Sequence, residues 1–240
     1  MTRRIVRAFP LQPAFYVGAE DGLRRDVLAV LHLPYTAWHL SFVVIGATLA
    51  PTLAVDRLAG TLLAFFLGTG IAAHALDEWN GRPLRTSIAG GWLIGTASAA
   101  LAGSLALAVV GAAVISGWVV MWALLAIALV VGYATERPRW VHSDVGFALS
   151  WGAFPVVVGY WAQAERIGLA CVLLALSMTC LSLAQRSLST AARALRRNRN
   201  ADERGDRADL LLASWEEPLR WLAATAVTLA LGLLAARTGL

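Results

Sequence analysis

Residues 88–133 form a run of 46 positions without one charged side chain. As a single helix that run would be about 69 Å long, against a bilayer hydrocarbon core of about 30 Å. The chain must therefore cross an apolar slab twice within this stretch, and the turn falls near Ser116-Gly117. The rest of the sequence agrees: 58% of the 240 residues are hydrophobic, 15% are charged and the mean hydropathy is +0.65, all outside the range of a soluble domain. The apolar runs are rich in Ala, Leu, Val and Gly and lack the ten-residue alternation of barrel strands. The predicted fold class is all-α, a polytopic transmembrane helical bundle of about seven spans, at 35–55, 59–76, 88–113, 117–133, 145–163, 167–185 and 219–236. Residues 35–240 then make one transmembrane domain.

Orientation follows from the basic residues. There are 20 of them and every one is arginine. With seven spans, 17 fall on the side of the N-terminus, and only Arg57, Arg166 and Arg237 fall on the other. This positive-inside bias predicts a cytoplasmic-membrane protein with its N-terminus in the cytoplasm and its C-terminus outside. The net charge of +5 is thereby assigned to topology, and no nucleic-acid partner is expected. Residues 1–34 read as a cytoplasmic segment and not as a cleavable signal peptide. Within them "AEDGLRRDVLAVLHLP" is an amphipathic interfacial helix, with Leu23, Val27, Val30 and Leu31 opposite Arg24, Arg25 and Asp26. Residues 187–213, dense in Arg, Asp and Glu, are expected to form a solvated linker, helical near 190–197, that meets anionic headgroups. Cys171 and Cys180 have neither metal nor redox spacing and are read as packing residues.

The polar residues at the predicted membrane boundary gather at one end. His32, His39, His74, Asp77, Glu78, Glu136, His142 and Asp144 all map to the cytoplasmic ends of spans, and these include all four histidines. His74, Asp77 and Glu78 stand at i, i+3 and i+4, a shared helical face. Carboxylates beside hydrocarbon are costly unless they meet a cation, water or the bundle interior. A plain hydrated helix end, anchored by Arg82 and Arg85, would also explain single residues of this set. The "NGRP" that follows predicts a helix end at 78–80, with Gly81 and Pro83 breaking the helix, Asp77 and His74 facing a cavity, and Glu78 either joining them or pairing with Arg82.

"AHALDEWNGRPL", "LHLPYTAWHLSF" and "GYATERPRWVHSDVGFALSWGAFPVVVGYWAQ" resemble corresponding segments of the UbiA superfamily of intramembrane prenyltransferases. That family's first Asp-rich motif is roughly N-D-x-x-D-x-x-x-D, soon followed by Arg-Pro. On it, His74 takes the first Asp position, Asp77 the second, and Arg82-Pro83 the Arg-Pro. The chain resembles a shortened, divergent member, because "SLAQRSLSTAARALRR" stands without a carboxylate where the second motif would fall. The resemblance implies an isoprenoid substrate, as prenyl diphosphate or polyprenyl lipid, in a cytoplasm-facing cavity bordered by spans one, two, four, five and six, with prenyl transfer as the reaction. It implies catalytic roles for Asp77, Glu78, His74 and Asp144, one Mg²⁺ on Asp77 and Glu78, and substrate contacts from Asn80, Arg82, Tyr133, His142, Arg186 and Arg193.

Other classes stay open. A terpenoid cyclase runs on isolated acids such as Asp77 or Asp144. A non-catalytic relative would bind a lipid or quinone, or serve as a partner subunit. A transition-metal oxidoreductase or hydrolase would draw on His32, His39, His74 and His142 with Asp77 and Glu78, though no HxxxH cluster is present.

Overall fold

The structure is a computed structural model that describes residues 13–17, 22–198 and 206–239; the expectations for Arg3, Arg4, Arg7, Arg199 and Arg204 lie outside them. The described chain is helical, without strands. We label the elements α1 (Leu23–Leu31), α2 (Leu33–Thr48), α3 (Val55–Trp79), α4 (Gly90–Val114), α5 (Trp118–Ala134), α6 (Asp144–Ala164), α7 (Leu169–Asn198) and α8 (Asp206–Thr238). Among the described residues six stretches are long and apolar enough to cross a membrane, α1 and α2 counting as one, and α5 is a shorter apolar helix of 17 residues. The chain is an integral membrane protein by this measure. The long apolar run does break at Ser116-Gly117, where α4 gives way to α5.

Three expectations change. The 187–213 linker is largely absent: α7 continues through Asn198 and α8 begins at Asp206. Ala, Leu and Arg are strong helix formers, so this polar stretch extends the helix beyond its apolar part. There Arg196 Nε donates to Glu216 Oε1 at 2.6 Å and its second terminal nitrogen donates to Oε2 at 2.8 Å, a two-pronged pair between helices. The first span is also shorter than expected, since α2 stops at Thr48. Finally, α1 presents its apolar side outward, as a helix on the membrane surface would, but its opposite side is not wholly solvated. Leu23 is 70% exposed, whereas Asp26 is buried and accepts hydrogen bonds from Ser87 N (2.7 Å) and Ser87 Oγ (2.6 Å). An outward apolar face suits a helix lying on hydrocarbon, and the inward carboxylate ties it to the loop after α3.

Between helices in lipid there is no hydrophobic drive to associate, so close backbone approach and polar contacts must hold the bundle. The crossing of α2 and α6 shows the first. A Cβ on Gly46 would sit 2.2 Å from the Val156 carbonyl oxygen, and one on Gly159 would sit 2.3 Å from that of Val43. Around this crossing Trp38, Phe42, Ile45, Val156, Met178 and Ala226 interlock α2, α6, α7 and α8. A second cluster, including Leu93, Val130, Tyr133, Phe147 and Trp151, joins α4, α5 and α6.

Two helices widen into π-helical turns, α3 over Phe66–Ala73 and α6 over Leu149–Ala153. Thr69 Oγ1 bonds back to the Phe65 carbonyl at 2.5 Å, which disturbs the ladder where the first begins. In the second, a Cβ on Gly152 would lie 2.6 Å from both the Met178 carbonyl oxygen and Ser182 Oγ, so α7 is pressed against it. Such bulges are frequent at functional sites, and each of these precedes or follows residues of the polar cluster described next.

Candidate functional site

Asp77 and Glu78 are neighbours that point about 100° apart on a helix, and the structure gives them separate work. The helix ends at Trp79, as the "NGRP" turn predicts, and Arg82 takes a left-handed φ of 53°. Glu78 is completely buried. Its Oε2 accepts from Leu84 N (2.8 Å) and its Oε1 accepts from Thr86 N (2.8 Å) and Thr86 Oγ1 (2.9 Å). Both oxygens are spent on holding the returning loop, so neither the expected metal role nor the Arg82 pairing stands for Glu78. Arg82 instead donates to the Ile88 carbonyl at 2.6 Å, and Asn80 Nδ2 donates to the Ala134 carbonyl at 2.7 Å, closing the end of α5. Together with Asp26, these residues brace the loop and the helix ends beneath it. They are not gathered with the other candidates.

Asp77 looks the other way. It is half-buried, and among the described residues it has no hydrogen-bond or ion-pair partner, while the charges of Arg193 and Arg186 act on it. One helical turn back, His74 Nδ1 lies 3.3 Å from the Gly70 carbonyl, inside the π-helical turn. Its ring stacks on His32 at 4.7 Å between centroids. His32 is in turn flanked by Tyr16 at 4.1 Å and Tyr35 at 4.2 Å. Arg193 completes this half of the site: it donates to Thr190 Oγ1 at 3.5 Å, and its charge reaches Tyr16, His32 and Tyr35. Burial pushes the Tyr16 hydroxyl well above its ordinary range, so it stays a neutral donor at any working pH. A small cleft opens here, bordered by Phe15, Tyr16, His32, Tyr35, Ser189 and Arg193.

The other half centres on Arg186. It donates to Tyr133 Oη at 2.7 Å, to Asp144 Oδ1 at 3.0 Å and to the His142 carbonyl at 3.5 Å, and its guanidinium lies 4.8 Å from the Phe147 ring centre. His142 Nδ1 lies 3.1 Å from the Tyr133 carbonyl, and the two rings are 4.6 Å apart. Asp144 is on the exposed rim in an ion pair with Arg186, a poor position for a proton donor to a buried substrate. Thus His74, Asp77 and Arg193 make one half and Tyr133, His142, Arg186 and Asp144 the other, with α7 supplying an arginine to each and the charge of both arginines reaching Asp77.

Several members escaped the sequence reading as site residues. Tyr35 and His39 follow His32 at i+3 and i+7, and Ser182, Gln185, Ser189 and Arg193 repeat the same spacing on α7. That periodic polar face was the available signal. Buried among them, both ring nitrogens of His39, the Ser182 hydroxyl, the Gln185 amide and His32 Nδ1 have no hydrogen-bond partner. Buried polar atoms without partners are rare in native proteins and mark places where a ligand or water supplies the missing bonds.

As to metal, a Mg²⁺ ion is often held by one or two carboxylates, with water and phosphate oxygens completing its six ligands. With Glu78 occupied, Asp77 is the single carboxylate of this set free to fit that pattern, and no group of three or more acidic, His or Cys residues fit to hold a metal occurs among the described residues. In comparisons with known proteins, the chain matches no family model, no curated protein and no solved structure.

Proposed function

We propose that this is a UbiA-like membrane protein that binds an isoprenoid through its phosphate or diphosphate head at the arginine-rich end of the bundle, facing the cytoplasm. One observation carries the reading. Arg193 and Arg186 bring their charge to the unpartnered Asp77 from one helix, beside a row of aromatic and imidazole rings. Arginine's planar fork suits phosphate oxygens, and the lightly held Arg193 has donors to spare. Asp77 would repel such a head on its own, so it is the residue to hold a Mg²⁺ that phosphate oxygens also bind. The isoprenoid tail then needs only the hydrocarbon that begins one or two turns deeper.

Of the two reactions open to such a site, prenyl transfer has the better support. Protonation-driven cyclisation would draw on Asp144 or Asp77, and in this reading the first is ion-paired and the second is given to Mg²⁺.

The test is calorimetric titration of the purified protein with geranyl, farnesyl and geranylgeranyl diphosphates, with and without Mg²⁺. Binding in the micromolar range that requires Mg²⁺ is expected. Asp77→Asn should abolish the Mg²⁺ dependence without lowering the melting temperature, and Arg193→Gln should weaken binding about 10- to 100-fold. Absence of Mg²⁺-dependent binding of all three to the wild type would remove the diphosphate reading and leave a phosphate-free lipid or quinone in its place.

A further inference from the structure

A second site lies in the half of the bundle away from the polar cluster. Here α3, α4, α5 and α6 enclose an apolar cavity of about 300 Å³, about twice the volume of a dry protein cavity able to take up benzene. Trp151, whose ring also meets Tyr133 and His39, borders its inner end, and Asp56 and Arg57 border the other. Along α3 that is the distance from Asp56 to Thr69, about 20 Å at 1.5 Å per residue. Val110 and Val114 of α4 line the cavity while remaining 64% and 59% exposed, so it opens sideways into hydrocarbon. An elongated slot of this shape admits one extended chain from the bilayer.

Its polar atoms define the occupant further. The hydroxyls of Thr61 and Ser104 donate to the carbonyls of Arg57 and Ala64, at 2.7 and 3.2 Å. Trp122 Nε1 is buried in the wall and finds no acceptor. An indole N–H only donates, so an occupant that satisfies it must bring an acceptor oxygen. Trp122 stands one turn, about 6 Å, inside the start of α5 at Trp118, the depth at which hydrocarbon gives way to the interfacial layer. Ester carbonyls of glycerolipids occupy that depth. At the mouth, Arg57 is already paired with Glu165 at 3.0 Å and donates to the Ala162 carbonyl at 3.3 Å, which leaves Asp56 as the uncompensated charge. A negative mouth favours a headgroup that ends in an ammonium.

We infer that this cavity is a site for an ester-linked glycerophospholipid with an ammonium headgroup, one acyl chain lying in the slot, its ester carbonyl accepting from Trp122 Nε1 and its ammonium near Asp56. The inference does not rest on the isoprenoid reading, because cavity and cluster lie on opposite sides of Trp151. It is tested by native mass spectrometry of the delipidated protein titrated with dioleoyl phosphatidylethanolamine and with its ether-linked analogue, which lacks the carbonyls but keeps chains and head. The wild type should hold the ester lipid about tenfold more tightly. Trp122→Phe should bind both lipids alike at the ether level. Asp56→Asn should lose the preference of the wild type for dioleoyl phosphatidylethanolamine over dioleoyl phosphatidylglycerol, whose head carries no cation, while keeping the ester preference. Equal binding of ester and ether lipids by the wild type would overturn the inference, as would an ester preference that survives in Trp122→Phe. Displacement of the bound lipid by geranylgeranyl diphosphate would likewise overturn it, by giving the slot to the isoprenoid.

Discussion

Adjacent carboxylates with unlike duties make Asp77 and Glu78 separable by substitution. Glu78 accepts three bonds in full burial, and an amide at that position would turn two donors toward donors. Glu78→Gln should therefore cost about 1–3 kcal/mol of stability, visible as a lowered melting temperature in detergent, with ligand affinity in the surviving folded fraction little changed. Asp77→Asn should do the reverse. Tyr133→Phe removes the 2.7 Å bond from Arg186 and should weaken head binding severalfold, by loosening a guanidinium that the hydroxyl helps to aim. The sequence showed that two carboxylates stood at a helix end. It did not show which was occupied, because two of the three donors that engage Glu78 are the backbone groups of Leu84 and Thr86, which carry no residue signature.

At the level of elements, the close crossing of α2 and α6 is the most sensitive joint. Gly159→Ala places a methyl against the Val43 carbonyl and should destabilise by about 1–3 kcal/mol, measured as loss of the folded fraction in a thermal or denaturant titration. The Arg196 and Glu216 side chains are only 11% and 10% exposed, so Glu216→Gln should cost more than an ordinary surface pair, about 3–5 kcal/mol, whereas Arg196→Met with Glu216→Leu should restore much of it. Helix positions were legible in the sequence wherever an apolar run ended in Gly, Pro or a cluster of charge, as at Ser116-Gly117 and Asn80-Gly81. Helix near 190–197 was expected, but its continuity with the apolar part of α7 and the early start of α8 at Asp206 were not, since charge was read as the end of a membrane helix when Ala, Leu and Arg continue it. Nor were the π-helical turns, which arise from Thr69 bonding backward and Gly152 yielding to α7. For the site, the residues on α3 and α5 were found by their charge or by the quoted segments. Tyr35 on α2 and the uncharged part of the polar face of α7 went unread, because Tyr35, Ser182 and Gln185 carry no charge and look like ordinary membrane-helix polarity.

For the whole molecule, the arginine distribution gives a testable handedness in the bilayer. Single cysteines placed at Arg139 and at Thr238, in a background without Cys171 and Cys180, should react with an impermeant maleimide from opposite faces of the membrane, Thr238 from outside the cell. Labelling of both from one face would remove the seven-span arrangement. The same ends show how the bundle is closed. Arg237, at the far end of α8, donates to the carbonyl of Ala50 at 3.1 Å and also to that of Pro51, and α8 packs along α2. Among the described helices, an early membrane helix, α2, is thus a principal neighbour of α8, made well after it. During synthesis α2 must wait in lipid through five further helices before Leu222, Ala226 and Ala230 arrive beside it. The order of manufacture and the order of packing are therefore opposed, and a ribosome stalled before α8 would leave a chain with most of its helices inserted, its ring open, and the Arg193 side of its site lacking Leu219, which borders the finished cleft.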